Sequence, residues 1–380
     1  MITFGNPCAG RRASARLGAL SLAVAACDPS PKEELLNVVP SALAIRSENA
    51  ATQPQWSGDG RWVVFRGVGG GLNALDLRSG RLRSIASFGT DTVVGPFRVT
   101  GSDEVIGVVS VAQGSPASSL FRFPLNGDVA ERLLAFPTGT DVGILDVSPD
   151  GRYVVWGVSP SGMSVDRTIW VLDRTSRNSR GPLSTRARTV AVGPSGTILL
   201  DSITSVGTHH IVELGPDGSR GPTIFTWSDS TETIPWTSGG VIGAQWRPNG
   251  IDLAGWRCRF DPRNGSGTTS LRRVPSAEAG PDGIEVGRLD WGCPSHIVWL
   301  PEDRFLAARV VHGDGSATTA PVVVTIQSVR TNGRNEAVYA GRTPGPVAVV
   351  FGPDIRVQLS PVGNGVALAA WQDLFYKSLP

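Results

Sequence analysis

Few side chains in this sequence can ligate a metal or move a proton near neutral pH. Four histidines occur in 380 residues: His209, His210, His296 and His312. Metal sites need three or four converging ligands at close spacing, and no such grouping is visible here. His209 and His210 are adjacent, so on a strand they point to opposite faces and read as the polar start of a strand. His312 sits in Val311-His-Gly-Asp-Gly315, a hairpin loop. His296 follows Cys293-Pro-Ser and opens an apolar strand, a position that can face a central channel. There is no Gly-x-Ser-x-Gly elbow, no His-Glu-x-x-His and no Gly-x-x-x-x-Gly-Lys phosphate cradle. Gly69-Gly-Gly71 lies between two apolar runs and reads as a hairpin. The expectation is therefore no catalytic constellation, no metal and no cofactor. Carboxylates brought together from distant segments leave no local signature.

Cys258 and Cys293 are candidates for one disulfide; two separate buried thiols are the alternative. Eleven tryptophans stand out. Trp56, Trp62, Trp156, Trp246, Trp256, Trp299 and Trp371 recur at equivalent positions and read as core. Trp227, Trp236 and Trp291 lie away from those positions. With His296 they are the candidate binding residues, because exposed rings make flat contact faces and interface anchors.

The amino terminus has its own chemistry. Arg11, Arg12 and Arg16 precede an uncharged apolar run, Leu17 to Ala26, then Val24-Ala-Ala-Cys27. Positive end, short apolar core and small residues are the order of a secretory leader. The run is half of the ~20 residues a membrane-spanning helix needs. The Val-Ala-Ala-Cys stretch resembles the lipobox of bacterial lipoproteins. That resemblance implies cleavage after residue 26, which discards Cys8, lipid on Cys27, and a mature chain held outside the cytoplasm. Residues 27–36, Cys27-Asp-Pro-Ser-Pro-Lys-Glu-Glu-Leu-Leu36, read as a polar tether, leaving 37–380 as the folded domain. The leader takes three of 35 basic residues and none of 33 acidic ones. The remainder is near neutral and lacks the basic excess of a nucleic-acid binder.

What must position these residues is a repeat. Trp56-Ser-Gly-Asp-Gly-Arg-Trp-Val-Val-Phe65 and Val147-Ser-Pro-Asp-Gly-Arg-Tyr-Val-Val-Trp156 are its strong copies. Weaker ones are Gly101-Ser-Asp-Glu-Val-Ile106, Gly193-Pro-Ser-Gly-Thr-Ile-Leu-Leu200, Trp246-Arg-Pro-Asn-Gly250, Leu300-Pro-Glu-Asp-Arg-Phe-Leu306 and Leu359-Ser-Pro-Val-Gly-Asn-Gly365. The spacing of about 45 to 60 residues is that of propeller blades. Asp-Gly and Asn-Gly supply the left-handed positions of tight hairpins. The strand after each turn is apolar on both faces, as between two packed sheets. A third strand follows, such as Leu72-Asn-Ala-Leu-Asp-Leu77 or Thr168-Ile-Trp-Val-Leu-Asp173, then an outer strand such as Leu82-Arg-Ser-Ile85. Asp59, Asp150 and Asn249 recur at the turns and read as structural. Arg61 and Arg152 follow them and are expected to cover neighbouring blades.

The Ser-Pro-Asp-Gly-Arg turn, apolar strand and strand ending in Leu-Asp resemble the blade of TolB-type, WD40-like β-propellers. The resemblance spans about residues 50–380 and implies an all-β propeller. Seven four-stranded blades are the expected count, with six the alternative. After Pro361 only two strands remain, Val366–Trp371 and Phe375–Leu379. Asn37–Ile45 is therefore expected to complete the last blade and close the ring, since an open ring exposes sheet edges. The function expected is a lipid-anchored, monomeric binding module of the bacterial cell envelope, with a protein or polymer partner and no nucleic acid. The alternative is a propeller enzyme, a polysaccharide lyase or hydrolase with residues at the channel mouth.

Overall fold

The turn shared by the two strong copies folds by the same local bonds. The Asp59 carboxylate accepts from the Arg61 amide at 3.0 Å and from Ser57 Oγ at 2.6 Å. Ser57 Oγ in turn accepts the Trp62 amide at 2.9 Å. Asp150, Ser148, Arg152 and Tyr153 repeat the arrangement. Gly60 and Gly151 take φ of 67° and 73°, where a side chain would crowd the backbone. A short polar loop thus satisfies its own amides and delivers the chain into an apolar strand.

The computed structural model describes residues 33–39, 54–67, 70–88, 92–101, 104–111, 118–159, 167–187, 189–203, 208–228, 244–246, 253–261, 266–274, 284–289, 294–301, 304–312, 319–330, 335–344, 347–348, 355–370 and 373–379. Their regular elements are all strands. Most strands are gathered, in chain order, into antiparallel sheets. The first sheet holds Gln55–Trp56, Trp62–Arg66, Leu72–Asp76 and Arg81–Ala86. The second holds Thr92–Thr100, Glu104–Val111, Ser118–Pro124 and Glu131–Ala135. The third holds Asp141–Val147, Tyr153–Ser159, Arg167–Asp173 and Asn178–Ala187. The fourth holds Thr189–Val192, Ile198–Ile203, Thr208–Leu214 and Arg220–Ser228. The fifth holds Ala244–Trp246, Leu253–Asp261, Ser266–Val274 and Ile284–Leu289. The sixth holds His296–Leu300, Arg304–His312, Val322–Arg330 and Asn335–Arg342. The seventh holds Ile355–Leu359, Gly365–Ala370 and Asp373–Ser378, completed by Asn37–Val39. A separate pair joins Thr319–Ala320 to Val347–Ala348.

Asn37, Val38 and Val39 lie opposite Tyr376, Phe375 and Leu374, antiparallel. This is the closure expected from the incomplete last repeat, over residues 37–39; residues 40–45 lie outside the described set. Glu33–Leu35, inside the stretch expected as tether, adds a parallel strand to Asn335–Arg342 in the sixth sheet. Residues 33–39 therefore stitch the sixth and seventh sheets together.

The core is a series of layers between successive sheets. Trp62, Val64 and Leu72 of the first sheet pack on Phe97 and Val105 of the second. Ile106 and Leu120 of the second meet Leu145 and Trp156 of the third. Val155 and Ile169 meet Val190 and Ile198 of the fourth. Leu271 and Leu289 of the fifth meet Trp299 and Phe305 of the sixth. Leu306 and Val324 meet Val357 and Leu368 of the seventh. The seventh returns to the first, with Ala367, Ala369 and Leu374 against Trp56, Val63 and Phe65. Each fully buried aliphatic or aromatic side chain here stabilises the fold by about 1.5–3 kcal/mol. Sheets packed face to face in this order, last upon first, are the architecture of a β-propeller.

Arg61 and Arg152, expected to cover neighbouring blades, make their ion pairs within their own sheets. Arg61 bonds Asp76 through Nε at 3.3 Å and Nη2 at 2.8 Å, in its own sheet. Arg152 grips Asp173 likewise, at 3.2 and 2.9 Å. The register Trp62↔Asp76 and Tyr153↔Asp173 sets each aspartate beside the arginine that precedes its partner. The short fork-to-fork reach favours that partner over a neighbouring blade.

Candidate functional site

The first strands of the sixth, seventh, first, second, third and fourth sheets adjoin in that succession, and polar side chains staple them there. Asp146, in the third sheet, accepts from Arg98 Nε of the second at 2.9 Å and from the Val192 amide of the fourth at 2.8 Å. Burial pushes the Asp146 carboxyl above its ordinary range, more than Arg98 and the amide pull it down. His296 opens the first strand of the sixth sheet, where Nδ1 accepts the Leu359 amide of the seventh at 3.1 Å. An accepting Nδ1 puts the proton on Nε2. Burial holds this ring neutral, lowering its pKa to about 4. Trp56 Nε1 donates to the Gln358 carbonyl at 3.2 Å, joining the first sheet to the seventh.

A second polar cluster ties the second sheet to the third. Glu104 is buried and accepts from Arg174 Nη1 at 2.6 Å, from Arg122, and from Thr100 Oγ1 at 3.1 Å. Arg174 also donates to the Gly151 carbonyl at 2.6 Å. Burial opposes the Glu104 charge, but the bonds from Arg174 and Arg122 outweigh it and hold the carboxyl below its ordinary value. A side chain at Gly151 would crowd this pair: a Cβ would lie 3.0 Å from Glu104 Oε1 and 3.1 Å from Arg174 Nη1.

Arg174 also lines a groove of about 450 Å³ between these two sheets. Its walls carry Arg132, Arg152 and Arg177, with Glu131 and Asp150. A smaller hollow of about 230 Å³ lies beside Tyr153, Asp173, Arg180 and Asp217. Guanidinium groups in a solvent-open groove are forks for carboxylate or phosphate oxygens, so the larger groove is suited to anions. Sequence reading passed over it. The repeat gives Glu104 and Asp146 away only weakly, as acids inside apolar runs beside a turn. Arg174 and Arg177 belong to a hairpin of the third repeat, whereas Arg132 comes from the second.

The residues singled out in the sequence do not gather at this groove. His296 is half-buried in its staple with the seventh sheet. Trp227 lies on Arg220–Ser228, in register with His209; neither side chain belongs to the described set. Trp236, Trp291, Cys27 and Cys293 lie outside the described residues, as therefore does the Cys258–Cys293 bridge. Cys258 pairs with Thr269 in the fifth sheet. Trp56, Trp62, Trp156 and Trp299 are core as expected. Among the described residues no three histidine, cysteine or acidic side chains are grouped to hold a metal ion, and no helix is long and apolar enough to cross a membrane.

No protein-family model matches the sequence. No curated protein matches it significantly. Solved structures do resemble it. A chain from a crystal structure of the mitotic checkpoint complex superposes with a TM-score of 0.56 at 14% identity, over 97% of this chain and 100% of that one. The tricorn protease gives 0.53 at 12% identity, over 89% of this chain and 33% of that one. Oligogalacturonate lyase from Vibrio parahaemolyticus gives 0.50 at 10% identity, over 92% and 99%. At these identities the likeness is one of fold.

Proposed function

We propose that this chain is a lipid-anchored β-propeller of TolB type that binds a protein or polymer of the bacterial cell envelope and catalyses nothing. The observation that carries the reading is the face-to-face packing of sheets, the seventh upon the first, with Asn37–Val39 completing the seventh. Such a propeller is a stiff platform whose loops and inter-sheet grooves present a fixed face to a partner. Glu33–Val39, which lie along the sixth and seventh sheets, begin six residues after Cys27 in the sequence. The leader pattern at Arg11–Cys27 supplies the anchor and places the domain outside the cytoplasm. A Cys258–Cys293 bridge suits that compartment.

The second reading is a propeller enzyme acting on a sugar polymer. The fold it shares with an oligogalacturonate lyase makes that substrate the one to try. Full-length protein and its Cys27→Ser variant test both parts. The anchor requires that the wild type sediment with membranes and the variant leave them; equal retention removes the lipid anchor. Incubated with oligogalacturonate, the wild type should release no new reducing or unsaturated ends. Sustained release would replace the binding module with the enzyme.

A further inference from the structure

We infer that the groove between the second and third sheets is an anion-binding site, in which Arg132 and Arg177 take the carboxylate or phosphate groups of an oligoanionic ligand. This rests on the binding-module reading and names a place and a chemistry for it.

The charge balance of the groove points one way. Four arginines line it against two acids. Asp150 Oδ1 accepts Ser148 Oγ and the Arg152 amide, and Glu131 lies 3.9 Å from Arg122. Arg174 is committed to Glu104, and Arg152 to Asp173. Arg132 and Arg177 remain. Both are exposed, both line the groove, and among the described residues neither is ion-paired with a carboxylate. Two uncommitted guanidiniums, backed by the half-exposed Arg152, match a ligand with more than one negative group.

The backbone of Arg177 is the independent observation. Its φ is 54°, and among the described residues it alone takes positive φ without being glycine. It ends the hairpin between the third and fourth strands of its sheet. The same hairpin carries Gly80 in the first sheet, Gly127 in the second and Gly218 in the fourth, at φ of 66°, 91° and 89°. A side chain in this conformation crowds the following carbonyl, so folding alone favours glycine. Arginine there works against the turn and delivers a guanidinium to the groove.

That conflict gives a clean test. In full-length protein, Arg177→Gly restores the residue its sister hairpins use, so the thermal midpoint should not fall. Binding should weaken nonetheless. Calorimetric titration with inorganic tripolyphosphate and, separately, with oligogalacturonate measures it at low salt, where exposed charges are least screened. Wild type should bind at least one of the two. Arg132→Gln with Arg177→Gly should weaken that binding about tenfold or more, as expected for losing two charge-assisted contacts. Arg330→Gln, which removes an exposed charge of the sixth sheet, should leave it unchanged. Binding of tripolyphosphate alone identifies phosphate as the source chemistry, and of oligogalacturonate alone carboxylate; either upholds the site. The inference is overturned if wild type binds neither anion, if the double variant binds as wild type does, or if Arg330→Gln weakens binding equally. Binding that survives the double variant rejects this groove without touching the binding-module reading.

Discussion

The first and third sheets carry the same turn, the same arginine–aspartate clamp and the same apolar second strand, yet they lean on their predecessors by different means. After the clamp aspartate the first sheet has Leu77, which packs into the apolar layer shared with the seventh sheet. At that position the third sheet has Arg174, paired with buried Glu104 of the second. One location in the repeat is thus served once by apolar contact and once by an ion pair. The hairpin that follows differs too, with Gly80 in one and Arg177 in the other. What the two sheets share holds the blade together. Arg174 and Arg177, the third sheet's departures at these two positions, both line the groove between the second and third sheets.

The largest effect should come from breaking the ionic version of that contact. Glu104→Gln leaves Arg174 and Arg122 facing a neutral group in a mostly buried site, and removing one partner of a buried pair costs about 3 kcal/mol. Glu104→Leu combined with Arg174→Leu rebuilds the arrangement of Leu77. It should recover much of that loss, because apolar replacements of buried ion pairs are often neutral or better. Urea unfolding of the single and double variants measures both. A double variant less stable than the single would show that the two sheets do not offer interchangeable solutions.

The shared clamp should matter in both sheets, but unequally. The Asp76 side chain is 9% exposed and that of Asp173 22%, so Asp76→Asn should cost about 1–2 kcal/mol and Asp173→Asn less. The guanidinium hydrogen bonds from Arg61 and Arg152 hold both carboxyls down, to about 2. A carboxyl lowered on folding adds stability that is complete above its ordinary value of 3.8 and fades as pH falls toward 2. Each asparagine variant should therefore lose part of the wild type's acid sensitivity between pH 4 and about 2. Equal losses in the two variants would mean that burial does not set the strength of the clamp.

Much of the fold was legible because the repeat writes it locally. Ser57-Gly-Asp-Gly-Arg61 announces a turn, Trp62–Phe65 an inner strand and Leu72–Asp76 its neighbour, and all three stand where expected. The closing strand was legible from a deficit, since a last repeat with too few strands needs a partner. The polar staples were not. Asp146, His296 and Glu104 act across sheets, and their partners lie 46, 63 and 70 residues away. His296 drew attention as a rare side chain at a strand start, but its Nδ1 is occupied by a backbone amide. The groove was hidden for a similar reason: Arg132 and Arg177 come from different repeats, and only packing of the second sheet on the third brings them to one cleft.

The smallest effect belongs to the hairpin, and it is the one that separates folding from function. A Cβ at Gly80 would meet nothing within 4 Å. Gly80→Arg therefore has room for its side chain and suffers only the left-handed backbone, a cost of about 1 kcal/mol. Arg177→Gly relieves that strain but adds glycine's freedom to the unfolded chain, so its gain should be smaller, about 0.5 kcal/mol. Opposite signs from the two exchanges, read by thermal or urea unfolding, would show that the third sheet carries its arginine against the preference of the turn. Should Arg177→Gly instead destabilise the protein, the guanidinium would be contributing to the fold. The contrast between the first and third hairpins would then be one of packing, as it is between Leu77 and Arg174.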